Sequence, residues 1–170
     1  MDAQAPDLLS GDIRLRDVIE ADLPLLFEQQ WDPEANDMAN VPARDRNAFM
    51  AHWKKILADK TVSVRTILFG RDVAGNVVSW EQDGKRLVGY WIGKSYWGKG
   101  VASKALSEFL EVLTSRPLYA HVAKHNVGSI RVLEKCGFTM CREQTASHDV
   151  SGDRVEDLVF KLGASGQQGA

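Results

Sequence analysis

Two glycines flank a lysine in Gly98-Lys99-Gly100, directly ahead of a helical pattern, and together they point to anion chemistry. Val101, Ala105, Phe109 and Leu113 recur four residues apart and so share one helix face. Glycines at a helix start let backbone N–H groups approach a bulky anion closely. The first N–H groups of a helix have no internal partner, and the helix dipole adds partial positive charge. Phosphate is the ligand such an end receives. Lys99 and Lys104 reinforce the sign of the field. A P-loop would need Gly-x-x-x-x-Gly-Lys followed by Ser or Thr, and a dinucleotide fingerprint would need a third glycine where Ser103 stands. Neither pattern is met.

A second set of polar residues follows. Asn126 suits the N-cap of a helix over Val127 to Cys136, Ser129 falls at its third position, and Gly137 with Phe138 suits its end. Every polar residue of this block therefore has a structural task open to it. Among acids and bases, Glu81 ends a strand beside Asp83, where a solvated carboxylate is the ordinary outcome. His121, His125, His148 and Asp149 are weaker candidates for proton transfer.

The first block, Gly89-Tyr-Trp-Ile-Gly-Lys-Ser-Tyr-Trp-Gly-Lys-Gly-Val-Ala-Ser103, resembles the pyrophosphate loop of the GNAT superfamily of acetyl-coenzyme A-dependent N-acetyltransferases. That loop usually reads Gln/Arg-x-x-Gly-x-Gly/Ala. Trp97 stands here at the first position, in wording similar to that of the RimJ/RimL-like branch. The second block, Leu118 to Phe138, is similar to the family's next motif: a strand, His125-Asn-x-x-Ser129, then a helix ending in Gly-Phe. The resemblance extends from Asp12 to Lys161 and is densest from Val88 to Phe138.

The resemblance implies an α/β fold with a mixed, mostly antiparallel sheet of about seven strands flanked by helices, splayed between the fourth and fifth strands. It implies acetyl-CoA as cosubstrate, with no metal. The pantetheine arm would bond to the strand end at Trp91, Ile92 and Gly93. The pyrophosphate would meet Trp97, Gly98, Lys99, Gly100, Val101 and Ala102, and Asn126 would hold the arm. Ser129 is the expected acid for the departing thiolate. A backbone N–H near Ile92 would serve the thioester oxyanion. Many members carry a glutamate where Leu87 stands, which leaves Glu81 as the nearest acidic candidate for a general base. An α-amine, with a pKa of about 7.7–8.0, needs little help from a base, whereas a lysine amine near 10.4 needs much more. The expected acceptor is therefore a protein or peptide N-terminal amine. A small amine such as an aminoglycoside or polyamine is the alternative within the enzyme class, and an acetyl-CoA-sensing binding module the alternative outside it. Trp31 to Pro42, the second helix and the terminal hairpin would form the acceptor pocket. There Asp32, Glu34 and Asp37 either attract a cation or simply face solvent.

These groups need one compact domain to hold them. The 170 residues suit a single domain, expected over residues 1–163 with a disordered tail at 164–170, and the 44% hydrophobic content can build its core. A net charge of −2 argues against bulk attraction to nucleic acid or an anionic membrane. No apolar run approaches the length of a membrane span. Two cysteines and an acidic N-terminus without a signal core suit a reduced, cytoplasmic setting, with a monomer or homodimer expected.

Along the chain, Ile13 and Leu15 alternate as a first strand, and Asp22 is placed to cap a helix beginning at Leu23. Trp31 to Pro42 reads as a loop and Ala43 to Lys60 as a second helix. Val62 to Phe69 and Val77 to Gln82 read as strands around a turn at Ala74-Gly-Asn76. Asp83-Gly84 turns the chain into a strand over Lys85 to Ile92. After the glycine-loop helix, Pro117 precedes a strand over Leu118 to Lys124. Phe138 to Ala146 and Arg154 to Leu162 pair as a last hairpin through Ser151-Gly-Asp153.

Overall fold

Four strands pair successively antiparallel: β1 (Ile13–Arg16), β2 (Ser63–Phe69), β3 (Asp72–Gln82) and β4 (Lys85–Ile92). Next to β4 lies β5 (Leu118–Ala123), parallel to it through the pairs Arg86↔Leu118 and Leu87↔Tyr119. Beyond those pairs the two strands run on without a shared ladder, so the sheet splays there. On the far side, β8 (Arg154–Leu162) pairs antiparallel with β5. Both β6 (Thr139–Met140) and β7 (Thr145–His148) pair with β8, so the eight strands among the described residues fill seven positions of the sheet. The computed structural model describes residues 11–141, 145–148 and 154–163, with backbone alone at 145–148 and 154–156. The expected turn at Ser151-Gly-Asp153 and the expected tail at 164–170 lie outside the described residues.

Helices cover both faces. On one, α4 (Val101–Val112) and α5 (Val127–Lys135) bury Val101, Ala105, Leu106, Phe109 and Leu133 against Ile67, Val88, Leu118 and Phe160. On the other, α1 (Leu23–Gln30) and α3 (Arg46–Ala58) bury Leu26, Phe49 and Trp53 against Val64. Each large apolar side chain fully buried this way contributes about 1.5–3 kcal/mol.

Three expectations need correction. The segment after Trp31 is not all loop, because it contains α2 (Pro33–Ala39). Asp32 accepts a hydrogen bond from the Ala35 N–H at 3.1 Å, Pro33 takes the first helical position, and Asn40 ends the helix at φ 54°. The second correction concerns Ala74-Gly-Asn76, which lies within β3, while the chain reverses at Gly70-Arg71. Ile67 faces Gly75 and Leu68 faces Val73, so Ala74 is the extra residue of a β-bulge. Gly75 is there for close approach: a Cβ on it would lie 1.9 Å from the Trp91 carbonyl oxygen.

The third correction is Asp22, which does not cap α1. It is 2% exposed and receives both guanidinium nitrogens of Arg16, at 2.7 and 2.8 Å. The Ile19 N–H and the Thr66 hydroxyl also donate to it, at 3.0 and 2.7 Å. Burial alone would raise its pKa, but the Arg16, Ile19 and Thr66 donors outweigh burial and hold the carboxyl below the usual carboxylate range. In the unfolded chain Asp22 titrates near the ordinary value of about 3.9, so at acid pH the unfolded state binds the proton first. The stability this group contributes is complete above that value and is lost as pH falls through the lower, folded-state pKa. We expect Asp22→Asn to cost about 2 kcal/mol at neutral pH. Urea midpoints measured from pH 7 down to pH 2 should show the variant and wild type converging at the acid end. A constant gap would refute the assignment.

Candidate active site

The glycine turn is built by its backbone. Gly98 and Gly100 both have φ of 75°, in the left-handed region that glycine enters without strain. No side chain among the described residues caps α4, so the N–H groups of its first turn remain available to an anion. Trp97 closes the turn onto β4: its indole N–H donates to the Ile92 carbonyl at 2.9 Å.

Across the splay, Asn126 caps α5 as its type predicts, with Oδ1 accepting from the Ser129 N–H at 3.2 Å. Gly137 ends that helix at φ 92°, and the Phe138 N–H returns to the Leu133 carbonyl at 3.0 Å. These two ends fix Ser129, whose Oγ lies 2.6 Å from the Tyr90 hydroxyl of β4. Burial pushes the Tyr90 phenol up to about 12, with the Ser129 contact working against it.

A cavity of about 380 Å³ lies between the two strands and the helix starts. Of the residues singled out in the sequence, Trp91, Ile92, Trp97, Gly98, Gly100 and Val101 line it, as do Ala102, Asn126 and Ser129. Gly93 and Lys99 are not among the lining residues. The Gly93 N–H donates to the Ala74 carbonyl at 2.8 Å, and a Cβ there would lie 3.0 Å from the Gln29 side chain. The Lys99 ammonium sits over the rings of Phe69 and Tyr96, at 5.5 and 5.9 Å from their centroids.

Glu81 is exposed and pairs with Arg86 at the opposite end of β4. It lies five residue steps along the strand from Asn76, which faces Trp91, or about 17 Å at about 3.4 Å per residue. The structure does not bring Glu81 to the cavity. Leu87 is buried, and no charged side chain among the described residues lines the cavity.

Two contributors differ from the sequence reading: a segment expected at the acceptor pocket as a loop, and a residue not singled out at all. One is α2, which lays Ala35, Met38 and Ala39 along the cavity wall. It spans the splay, with Glu34 paired to Lys94 of the 3-10 turn Lys94–Tyr96 and the Asp37 carbonyl 2.9 Å from His125 Nε2. Asp32-Pro33, a cap followed by a first-turn proline, was the signal available for it. The other is Tyr90, whose apolar strand setting gave no sign of a polar task.

A family model described as an Acetyltransferase (GNAT) domain matches residues 12–139. The chain belongs to the GNAT acetyltransferases. No curated protein sequence matches it. Its fold is similar to that of a Vibrio cholerae spermidine N-acetyltransferase solved with CoA and spermine, at a TM-score of 0.75 and 17% identity, covering 88% of this chain and 93% of that one. It is also similar to RimL, a ribosomal L7/L12 alpha-N-protein acetyltransferase solved with coenzyme A, at 0.76 and 15%, covering 92% and 96%. An aminoglycoside acetyltransferase solved with coenzyme A matches at 0.67 and 20%, covering 87% and 94%.

This GNAT acetyltransferase is an acetyl-CoA-dependent N-acetyltransferase. Its own residues fit that cosubstrate: two left-handed glycines, an uncapped α4 and a cavity between splayed strands. Among the described residues no group of three or more His, Cys, Asp or Glu could hold a metal ion. Nor is any described helix long and apolar enough to cross a membrane.

Proposed function

We propose that this enzyme acetylates the N-terminal α-amine of a protein or peptide, as a RimJ/RimL-like member of its family working in a reducing, cytoplasmic setting. The observation that carries this reading is the uncharged cavity: no described carboxylate or imidazole lines it, and buried Leu87 stands at the base position. An acceptor must then arrive with a useful neutral fraction. An α-amine does so near pH 7, while a lysine side chain does not.

The polycation alternative draws on Asp32, Glu34 and Asp37. Two of these are already engaged, Asp32 with the Ala35 N–H and Glu34 with Lys94. Both contacts are made within the described residues, and Lys94 offsets the Glu34 charge, which supports the peptide reading.

Acetyl-CoA supplies the activated acetyl group. The open N–H groups at α4 hold its phosphates, and the Ile92 region of β4 holds the arm and offers a backbone donor to the oxyanion. Asn126 steadies the arm from the other side. Ser129 gives its hydroxyl proton to the departing sulfur. Ser129→Ala should lower kcat roughly 100-fold, at the low end for general-acid catalysis, with coenzyme A affinity unchanged. Unaltered single-turnover rates would remove Ser129 from the chemistry.

The decisive experiment is thiol release from acetyl-CoA with an amine panel: peptides with free N-termini, lysine peptides blocked at the N-terminus, polyamines and aminoglycosides. Release with free N-termini is expected. Release confined to polyamines or aminoglycosides would overturn the acceptor assignment.

A further inference from the structure

We propose that Tyr90 is a positioning residue for Ser129, donating its hydroxyl hydrogen to the serine so that the serine hydrogen is directed into the cavity. The proposal rests on the reading of Ser129 as proton donor and adds what makes that reading workable. A serine hydroxyl has one hydrogen and rotates freely unless a partner fixes it. If Ser129 donated to Tyr90, that hydrogen would be spent and could not reach a leaving group.

Either hydroxyl can donate across this contact, and donor strength sets the direction. The Tyr90 oxygen lies 2.6 Å from Ser129 Oγ and 3.3 Å from the Ser129 carbonyl oxygen. A carbonyl oxygen can only accept. One tyrosine hydrogen shared between the two oxygens satisfies both contacts. The reverse arrangement, with Ser129 donating to Tyr90 and Tyr90 to the carbonyl, would also satisfy both contacts but would spend the serine hydrogen. A phenol is a stronger donor than an aliphatic alcohol, and burial keeps this one protonated well above neutral pH. Both residues line the cavity, so a serine hydrogen not given to Tyr90 faces the space where the acyl group reacts.

The chemistry balances. The acceptor nitrogen forms a bond to the acetyl carbon as the carbon–sulfur bond breaks, and the Ser129 hydrogen passes to sulfur. The proton shed by the acceptor nitrogen, carried by solvent, restores the serine. Tyr90 keeps its proton throughout. Its part is to hold Ser129 and to stabilise the oxygen as negative charge develops there.

The test is a cycle of Tyr90→Phe, Ser129→Ala and the double variant, with coenzyme A affinity by calorimetry and single-turnover rates across pH. Tyr90→Phe keeps the ring and its packing, so coenzyme A affinity should remain at the wild-type value. Its rate should fall roughly five- to tenfold, as for the loss of one hydrogen bond made in the transition state, with KM unchanged. In the Ser129→Ala background the same change should have no further effect. Three results would overturn the proposal: an equal loss in both backgrounds, a wild-type rate for Tyr90→Phe, or weakened coenzyme A binding. If Ser129→Ala were silent while Tyr90→Phe were slow, the acid reading of Ser129 would fail and Tyr90 itself would be the donor.

Discussion

Gly75→Ala should destabilise this acetyltransferase by about 3 kcal/mol or more, the high end for an overpacked site. The added Cβ would stand 1.9 Å from the Trp91 carbonyl oxygen and 3.1 Å from the Ile92 α-carbon. Both are backbone atoms of β4, so no side-chain rotation relieves the contact and the strands must part. For a chain of this size the melting temperature should drop by roughly 10 °C. Gly70→Ala is the control. Gly70 has φ of 61°, and no described atom lies within 4 Å of where a Cβ would stand, so its cost is backbone strain alone, about 1 kcal/mol. Thermal melts of the two variants should therefore separate widely. Equal melts would show that β3 and β4 are not in contact at Gly75. Because the pushed segment is Trp91–Ile92, Gly75→Ala should also weaken coenzyme A binding.

Gly100→Glu should weaken coenzyme A by about 100-fold. Two effects combine. A non-glycine residue at φ 75° is strained by about 1–2 kcal/mol, and a carboxylate at the α4 start repels phosphate. Gly100→Ala carries the strain without the charge and should show the smaller loss. Raising the salt should recover part of the glutamate deficit and none of the alanine one. Titration calorimetry at two ionic strengths checks both. Unchanged affinity in Gly100→Glu would remove the turn from the phosphate site.

How far the site could be read from the chain depends on the reach of each signal. The glycine turn, the Asn126 cap and the Gly137-Phe138 stop are local devices: each works within about four residues, so spacing alone announces them. The buried face of α4 is announced in the same way by its four-residue repeat. Ala74-Gly-Asn76 misled because a glycine between small and amide residues serves a hairpin turn and a bulge equally well. The choice was made by Trp91, sixteen positions on and bonded across the sheet. Asp22 misled for a similar reason. It sits where a cap belongs, and its true partners, Arg16 and Thr66, come from the sheet. Tyr90 carried no local mark at all, since its polar role exists only where α5 meets β4. The short α2 was hidden by polar residues that also suit a loop.

The wall contributed by α2 has a consequence for assembly. The cavity draws on residues 35–39, 90–103 and 126–132, three stretches that meet only after the long excursion through β2 and β3 has closed. Such closure carries the entropy of joining distant chain segments, and contacts of this non-local kind form slowly. A partly folded chain therefore has no finished binding site. Acetyl-CoA then distinguishes the native state from everything before it, and its affinity is returned as stability by mass action: about 2.7 kcal/mol when present at 100 times its Kd. The pool of this cosubstrate thus acts as a folding ligand for the enzyme that consumes it.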